Sequence, residues 1–126
     1  MKLVVVLGLM ALILPAATAF AAPGDMSVAT FLVKANALKN KGPLALFSGD
    51  VKVLQAEAKG GAMAYRAQLA SERKVGRPSS CPPAKAALNS DDLLGQMESY
   101  PQSARASIPV RAAMADLFKK RFACGK

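Results

Sequence analysis

The chain has 126 residues, with 17 Lys or Arg against 8 Asp or Glu, a formal net charge of +9, and no histidine. After a leader is removed, that length holds one domain. The lack of histidine takes away the commonest general base and transition-metal ligand, and with it any serine–histidine or cysteine–histidine nucleophile pair.

Met1 and Lys2 open the chain with a positive charge, and residues 3–14 follow without a polar side chain. Pro15 breaks the run, and Ala16, Ala17, Thr18 and Ala19 are small. This is the order of a secretory signal peptide. The predicted leader is residues 1–19, with cleavage after Ala21 as the alternative. The apolar run falls short of the roughly 20 residues a spanning helix needs, so removal is favoured over anchoring. The cleavage region carries no cysteine for a lipid anchor. Residues 20–126 are then a single periplasmic domain that is not inserted in a membrane. Its basic balance favours acidic proteins or envelope phosphates as partners over nucleic acid. The plainer reading is that its cations solvate helix faces.

Ser27 is positioned to cap a first helix, in which Val28, Phe31, Leu32, Ala35 and Leu38 recur at helical spacing. Gly42 and Pro43 stop it. Residues 44–47, Leu-Ala-Leu-Phe, form a short apolar turn; the alternative, a strand, has nothing nearby to pair with. Ser48, Gly49 and Asp50 start a second helix, with Asp50 read as a capping acid. Val51, Leu54, Ala58, Ala62, Tyr65 and Leu69 give it one apolar face. It runs to about Val75 and closes on Gly76. Gly60 and Gly61 lie mid-helix, where each costs up to ~1 kcal/mol against alanine. Either a second helix approaches closely there, or the helix kinks or breaks into two.

Residues 77–88 form a loop, because prolines deny helix around Cys81. Asn89, Ser90, Asp91 and Asp92 start a short third helix, with acids suited to its N-terminal dipole. Leu93, Leu94 and Met97 are its apolar face, and Tyr100-Pro101 ends it. Residues 102–107 read as a turn. Ser107, Ile108 and Pro109 then open a last helix with a stripe of Val110, Ala113, Met114, Leu117, Phe118 and Phe122. Lys119, Lys120 and Arg121 suit its C-terminal dipole. The expectation is an all-α bundle of about four helices in one small domain.

Cys81 and Cys124 are the only cysteines. In an oxidising compartment pairing is the economical reading; two free thiols or an intermolecular bond are the alternatives. Closing a loop of that length is worth about 4 kcal/mol in chain entropy. Two cysteines cannot by themselves complete a four-ligand zinc site. Asp91 and Asp92, the only adjacent acids, diverge by about 100° on a helix and read as capping residues rather than a carboxylate or calcium site. Tyr65 and Tyr100 read as core-edge residues. Arg66, Arg73 and Lys74 make either a basic patch or a solvated face. No catalytic residue, metal or cofactor is predicted, and the chain is not read as an enzyme.

Residues 81–124 carry a longer pattern. Cys81-Pro82-Pro83 leads to the helix opened by Ser90-Asp91-Asp92, which ends at Tyr100-Pro101. Arg105 follows, and an alanine-rich amphipathic helix runs into Phe122-Ala123-Cys124. This order resembles the C-terminal half of the Rap/Tai family, periplasmic immunity proteins that neutralise peptidoglycan amidase effectors of type VI secretion systems. Ala123 stands where that family usually has proline, and its Gly-Tyr-Ile-Gly-like middle element has no counterpart here. The resemblance implies a helical, disulfide-bonded inhibitor with an amidase-type protein partner and a homodimeric form. It carries over Cys81 and Cys124 as a structural bond and no effector-contacting residue. A general periplasmic interaction module, chaperone-like and without catalytic activity, is the alternative function.

Overall fold

Three of the four helices begin and end on local signals. In the computed structural model, which describes residues 21–85 and 87–125, these are α1 (Val28–Lys41), α2 (Gly49–Lys74) and α3 (Ser90–Glu98); the fourth is α4 (Val110–Arg121). The leader read over residues 1–19 lies outside the described residues. The Ser27 side chain accepts the Thr30 N–H at 3.1 Å, and Gly42, at φ 57°, ends α1. Pro43 then allows only a 3-10 turn, Gly42–Phe47. The Ser48 hydroxyl accepts the Asp50 N–H at 3.3 Å. Asp50 is therefore not the cap of α2; it sits in the first turn and pairs with Lys34 at 3.3 Å. Gly76, at φ 71°, closes α2, with the Gly76 and Arg77 N–H groups bonded back to the carbonyls of Arg73 and Glu72. That is the pairing expected of a left-handed glycine after a helix. Asn89 and Asp92 cap α3 reciprocally, at 2.9 and 3.0 Å.

α4 has no side-chain cap. The unpaired N–H groups that begin any helix are met here by distant backbone. Val110 donates to the Met26 carbonyl at 2.8 Å and Arg111 to the Gly24 carbonyl at 2.9 Å. Val28 donates in turn to the Ile108 carbonyl at 2.8 Å, and Ser27 and Pro109 form an isolated antiparallel bridge. Residues 23–27 thus form a strap across the start of α4. The Glu57 carboxylate of α2 accepts the N–H groups of Gly24 and Met26 at 2.6 and 3.2 Å, and Arg111 pairs with Asp25.

The strap explains the glycine pair. α2 runs unbroken through Gly60 and Gly61, so there is no break there. A Cβ on Gly60 would lie 2.4 Å from the Pro23 carbonyl oxygen, and one on Gly61 would lie 3.2 Å from the Arg111 Cα. The close approach is therefore to α4 at Gly61 and to the Pro23-Gly24 turn at Gly60.

From that crossing α2 and α4 run side by side in the same direction, and the Tyr65 and Phe118 rings meet at 5.3 Å between centroids. α3 runs against α4, with Asp92 beside Arg121 at 3.1 Å at one end and Tyr100 beside Asp116 at the other. Parallel neighbours need a returning connection; residues 75–109, with α3 and a second 3-10 turn (Gln102–Ser107), provide it. One core joins all four helices: Val28 and Phe31 of α1, Leu54 and Leu69 of α2, Met97 of α3, and Leu117 of α4 are among its buried members. Cys81 and Cys124 are bonded, with Cα atoms 4.8 Å apart. The bond ties the loop after α2 to the chain just beyond α4. The result is a small all-α domain with one disulfide.

Candidate functional site

The apolar face of α2 is covered unevenly. Leu54, Tyr65 and Leu69 are buried, whereas Val51 and Ala58, on the same stripe, are only half-buried. α2 and α3 do not pack extensively on each other; both lean on α4. The space between their opening turns is a groove of about 600 Å³. α1 contributes Phe31, Ala35 and Leu38 to one wall, and Val51, Leu54 and Ala58 of α2 form another. Leu88, Leu93 and Leu94 lie opposite, and Met114 and Leu117 of α4 form the floor. Four polar residues also line it, Lys39, Gln55, Asn89 and Ser90, and all four are exposed. The groove therefore has an apolar interior and a polar rim, the usual character of a ligand site.

The turn at one end of the groove carries the two most exposed large apolar side chains of the described residues, Phe47 and Leu46. Leu44, Leu46 and Phe47 are 70%, 81% and 87% exposed, while Ala45 between them turns into the groove. Large apolar side chains clustered on a small surface mark interaction sites. The sequence showed this turn as apolar, but apolar character alone would place it in the core.

A second arrangement ties the cysteine loop to α2. Tyr65, read as a core-edge residue, is 2% exposed. Its hydroxyl meets the Ser80 hydroxyl at 2.6 Å and the Ser79 hydroxyl at 2.8 Å. Ser79 gives its one proton to Glu72 at 2.5 Å, so Tyr65 must donate to Ser79 and accept from Ser80. The hydrogen bonds from Ser79, and then Gln68, hold the Glu72 carboxyl below its usual range. Ser80 is fully buried, and this chain satisfies its hydroxyl. The relay is structural: it positions Cys81, whose N–H donates to the Phe122 carbonyl at 2.7 Å.

The remaining residues singled out from the sequence fall apart spatially. Asp92 completes the α3 cap and pairs with Arg121, and Asp91 is exposed beside it. Arg66 lies over the Phe118 ring at 5.4 Å, and Arg73 and Lys74 are exposed at the end of α2. Tyr100 is half-buried and donates to Asp116; burial first, and then that bond, push its hydroxyl up to about 12. Among the described residues, no three His, Cys, Asp or Glu side chains are grouped to hold a metal ion. None of the described helices is long and apolar enough to cross a membrane. Glu57 was missed from the sequence: it looked like one more acid off the apolar stripe, and only its distant backbone partners reveal its role. Comparison with known protein families, curated proteins and solved structures returns no match.

Proposed function

We propose that this chain is an exported, non-catalytic binding protein that docks on a protein partner through the turn at Leu44, Leu46 and Phe47, and that the partner is a peptidoglycan amidase effector. The exposed turn is the observation that carries the reading. Three large apolar side chains stand on a short segment fixed between two capped helices, so little ordering is needed on binding. An aromatic side chain that becomes fully buried at such a contact is a typical binding hot spot. The resemblance over residues 81–124 supports the choice of partner, and the order of residues 1–19 supports a periplasmic location. The net charge of +9, of which only Lys2 lies in the leader, favours an acidic partner surface and its rapid capture. A homodimer belongs to the same reading.

The test mixes the purified protein with amidase effectors, starting with any encoded beside it. Complex formation is followed by gel filtration and peptidoglycan hydrolysis by release of soluble fragments. The expected result is a stoichiometric complex and loss of hydrolysis, both removed by Phe47→Ser with an unchanged circular dichroism spectrum. Phe47→Ser inhibiting as well as the parent would remove the turn from the proposal, and no complex with any amidase would remove the partner. The apolar groove beside the turn favours a second reading, a chaperone-like interaction module. Suppression of aggregation of a denatured client, in the absence of any amidase complex, would select it.

A further inference from the structure

We infer that the groove between α1, α2 and α3 is a binding site for a single-chain anionic amphiphile, an alkyl tail ending in one carboxylate. The floor and rim differ in chemistry. Every apolar side chain lining the groove is buried or half-buried, and every polar one is exposed. A ligand seated there meets hydrocarbon along its length and polar groups only at its outer end. Among the described residues, Lys39 is the only ionisable one in the lining, and no acid lines it. Two nearby acids are turned to other partners, Asp50 to Lys34 and Asp92 to Arg121. The rim thus offers one cation, matching one anionic head group. Lys39 also sits in the last turn of α1, so its ammonium can swing over the mouth on a flexible stem. At about 600 Å³ the space falls within the range of small-molecule sites, roughly 300–1,000 Å³. Leu54, Leu93, Met114 and Leu117 are both groove wall and core, so a bound tail would extend the core itself.

This site adjoins the docking turn proposed above, from which Ala45 reaches into the groove, but it does not depend on the amidase reading. The probes are alkanoates from octanoate to tetradecanoate, used below their micelle concentrations, with binding read by calorimetry and by the shift in melting temperature. Affinity should rise about fourfold per added methylene and then level off once the tail outgrows the groove. Dodecylammonium should bind more weakly than dodecanoate. Lys39→Gln should weaken dodecanoate about fivefold, the upper range for an exposed ion pair, without changing the unliganded melting temperature.

Two further variants probe the walls. Ala45→Trp fills the mouth from the exposed turn, and Val51→Glu places a like charge on the half-buried wall. Each should abolish binding, and Val51→Glu decides the matter if Ala45→Trp alters the circular dichroism spectrum. No saturable binding of any alkanoate would overturn the inference. Equal binding of dodecylammonium, or binding that survives Val51→Glu, would overturn it as well. So would a dimer, seen by sedimentation, that buries the groove and is not displaced by dodecanoate. Loss of amidase inhibition in Phe47→Ser with dodecanoate binding retained would separate the two sites.

Discussion

Replacing Gly60 with alanine sets helix propensity against tertiary packing. In an open helix interior the change gains up to ~1 kcal/mol. Gly95 in α3 is such a position, because a Cβ there meets nothing within 4 Å. At Gly60 the new Cβ would lie 2.4 Å from the Pro23 oxygen and 2.6 Å from the Pro23 carbonyl carbon. These are backbone atoms and cannot rotate away, so the strap must lift. Lifting it breaks the bonds from Gly24 and Met26 to Glu57 and from Arg111 to the Gly24 carbonyl. At about 1 kcal/mol for each of these three, offset by the helix gain, Gly60→Ala should cost about 2 kcal/mol. Gly95→Ala should stabilise by up to ~1 kcal/mol. Urea unfolding followed by circular dichroism measures both. Because strap and carboxylate act together, Glu57→Gln should cost less in the Gly60→Ala background than alone. A Gly60→Ala protein as stable as its parent, or additive losses in the double variant, would refute the role assigned to the strap.

The other expectations are independent of the strap. Cys81→Ser or Cys124→Ser should lower unfolding stability by about 4 kcal/mol on the chain-entropy argument, and dithiothreitol should reproduce the loss in the parent but not in the variants. Tyr65→Phe should cost about 1–3 kcal/mol by leaving the buried Ser80 hydroxyl without its partner; a neutral effect would show that the relay to Glu72 contributes nothing. In a spectrophotometric titration Tyr100 should ionise near pH 12. Asp116→Asn should lower that value only in part, because burial is the larger cause. A hydroxyl whose folded-state value is raised contributes stability that is whole below about pH 10, the unfolded value, and is lost as pH rises toward 12. Unfolding midpoints measured between pH 9 and 12 in the parent and in Tyr100→Phe test that direction.

The helices themselves are written in the chain. The apolar stripes place α1, α2 and α4, and Ser27, Asn89, Gly42 and Gly76 mark ends that the structure keeps. Two cysteines that end up 4.8 Å apart were legible as a pair from their number and from the order of the first residues. All these signals act over one or two turns, or depend on counting, so they survive without knowledge of the fold. Asp50 shows the limit of such reading: Ser48 and Asp50 both suit a helix start, and only geometry decides which of them caps. Tyr65 shows another: its depth depends on the hydroxyls of Ser79 and Ser80, which a separate loop delivers.

Local chemistry along the chain determined an all-helical domain, most helix ends and the pair of cysteines, because caps, stripes and stop residues exert their effects on neighbours. Tertiary structure alone decided three things. Backbone from residues 23–27 satisfies the start of α4. Gly60 makes room for that strap. The opening turns of α2 and α3 stand apart over α4, leaving an apolar groove. Each of these is a relation between segments tens of residues apart. No local preference encodes the distance between two helices that touch a third.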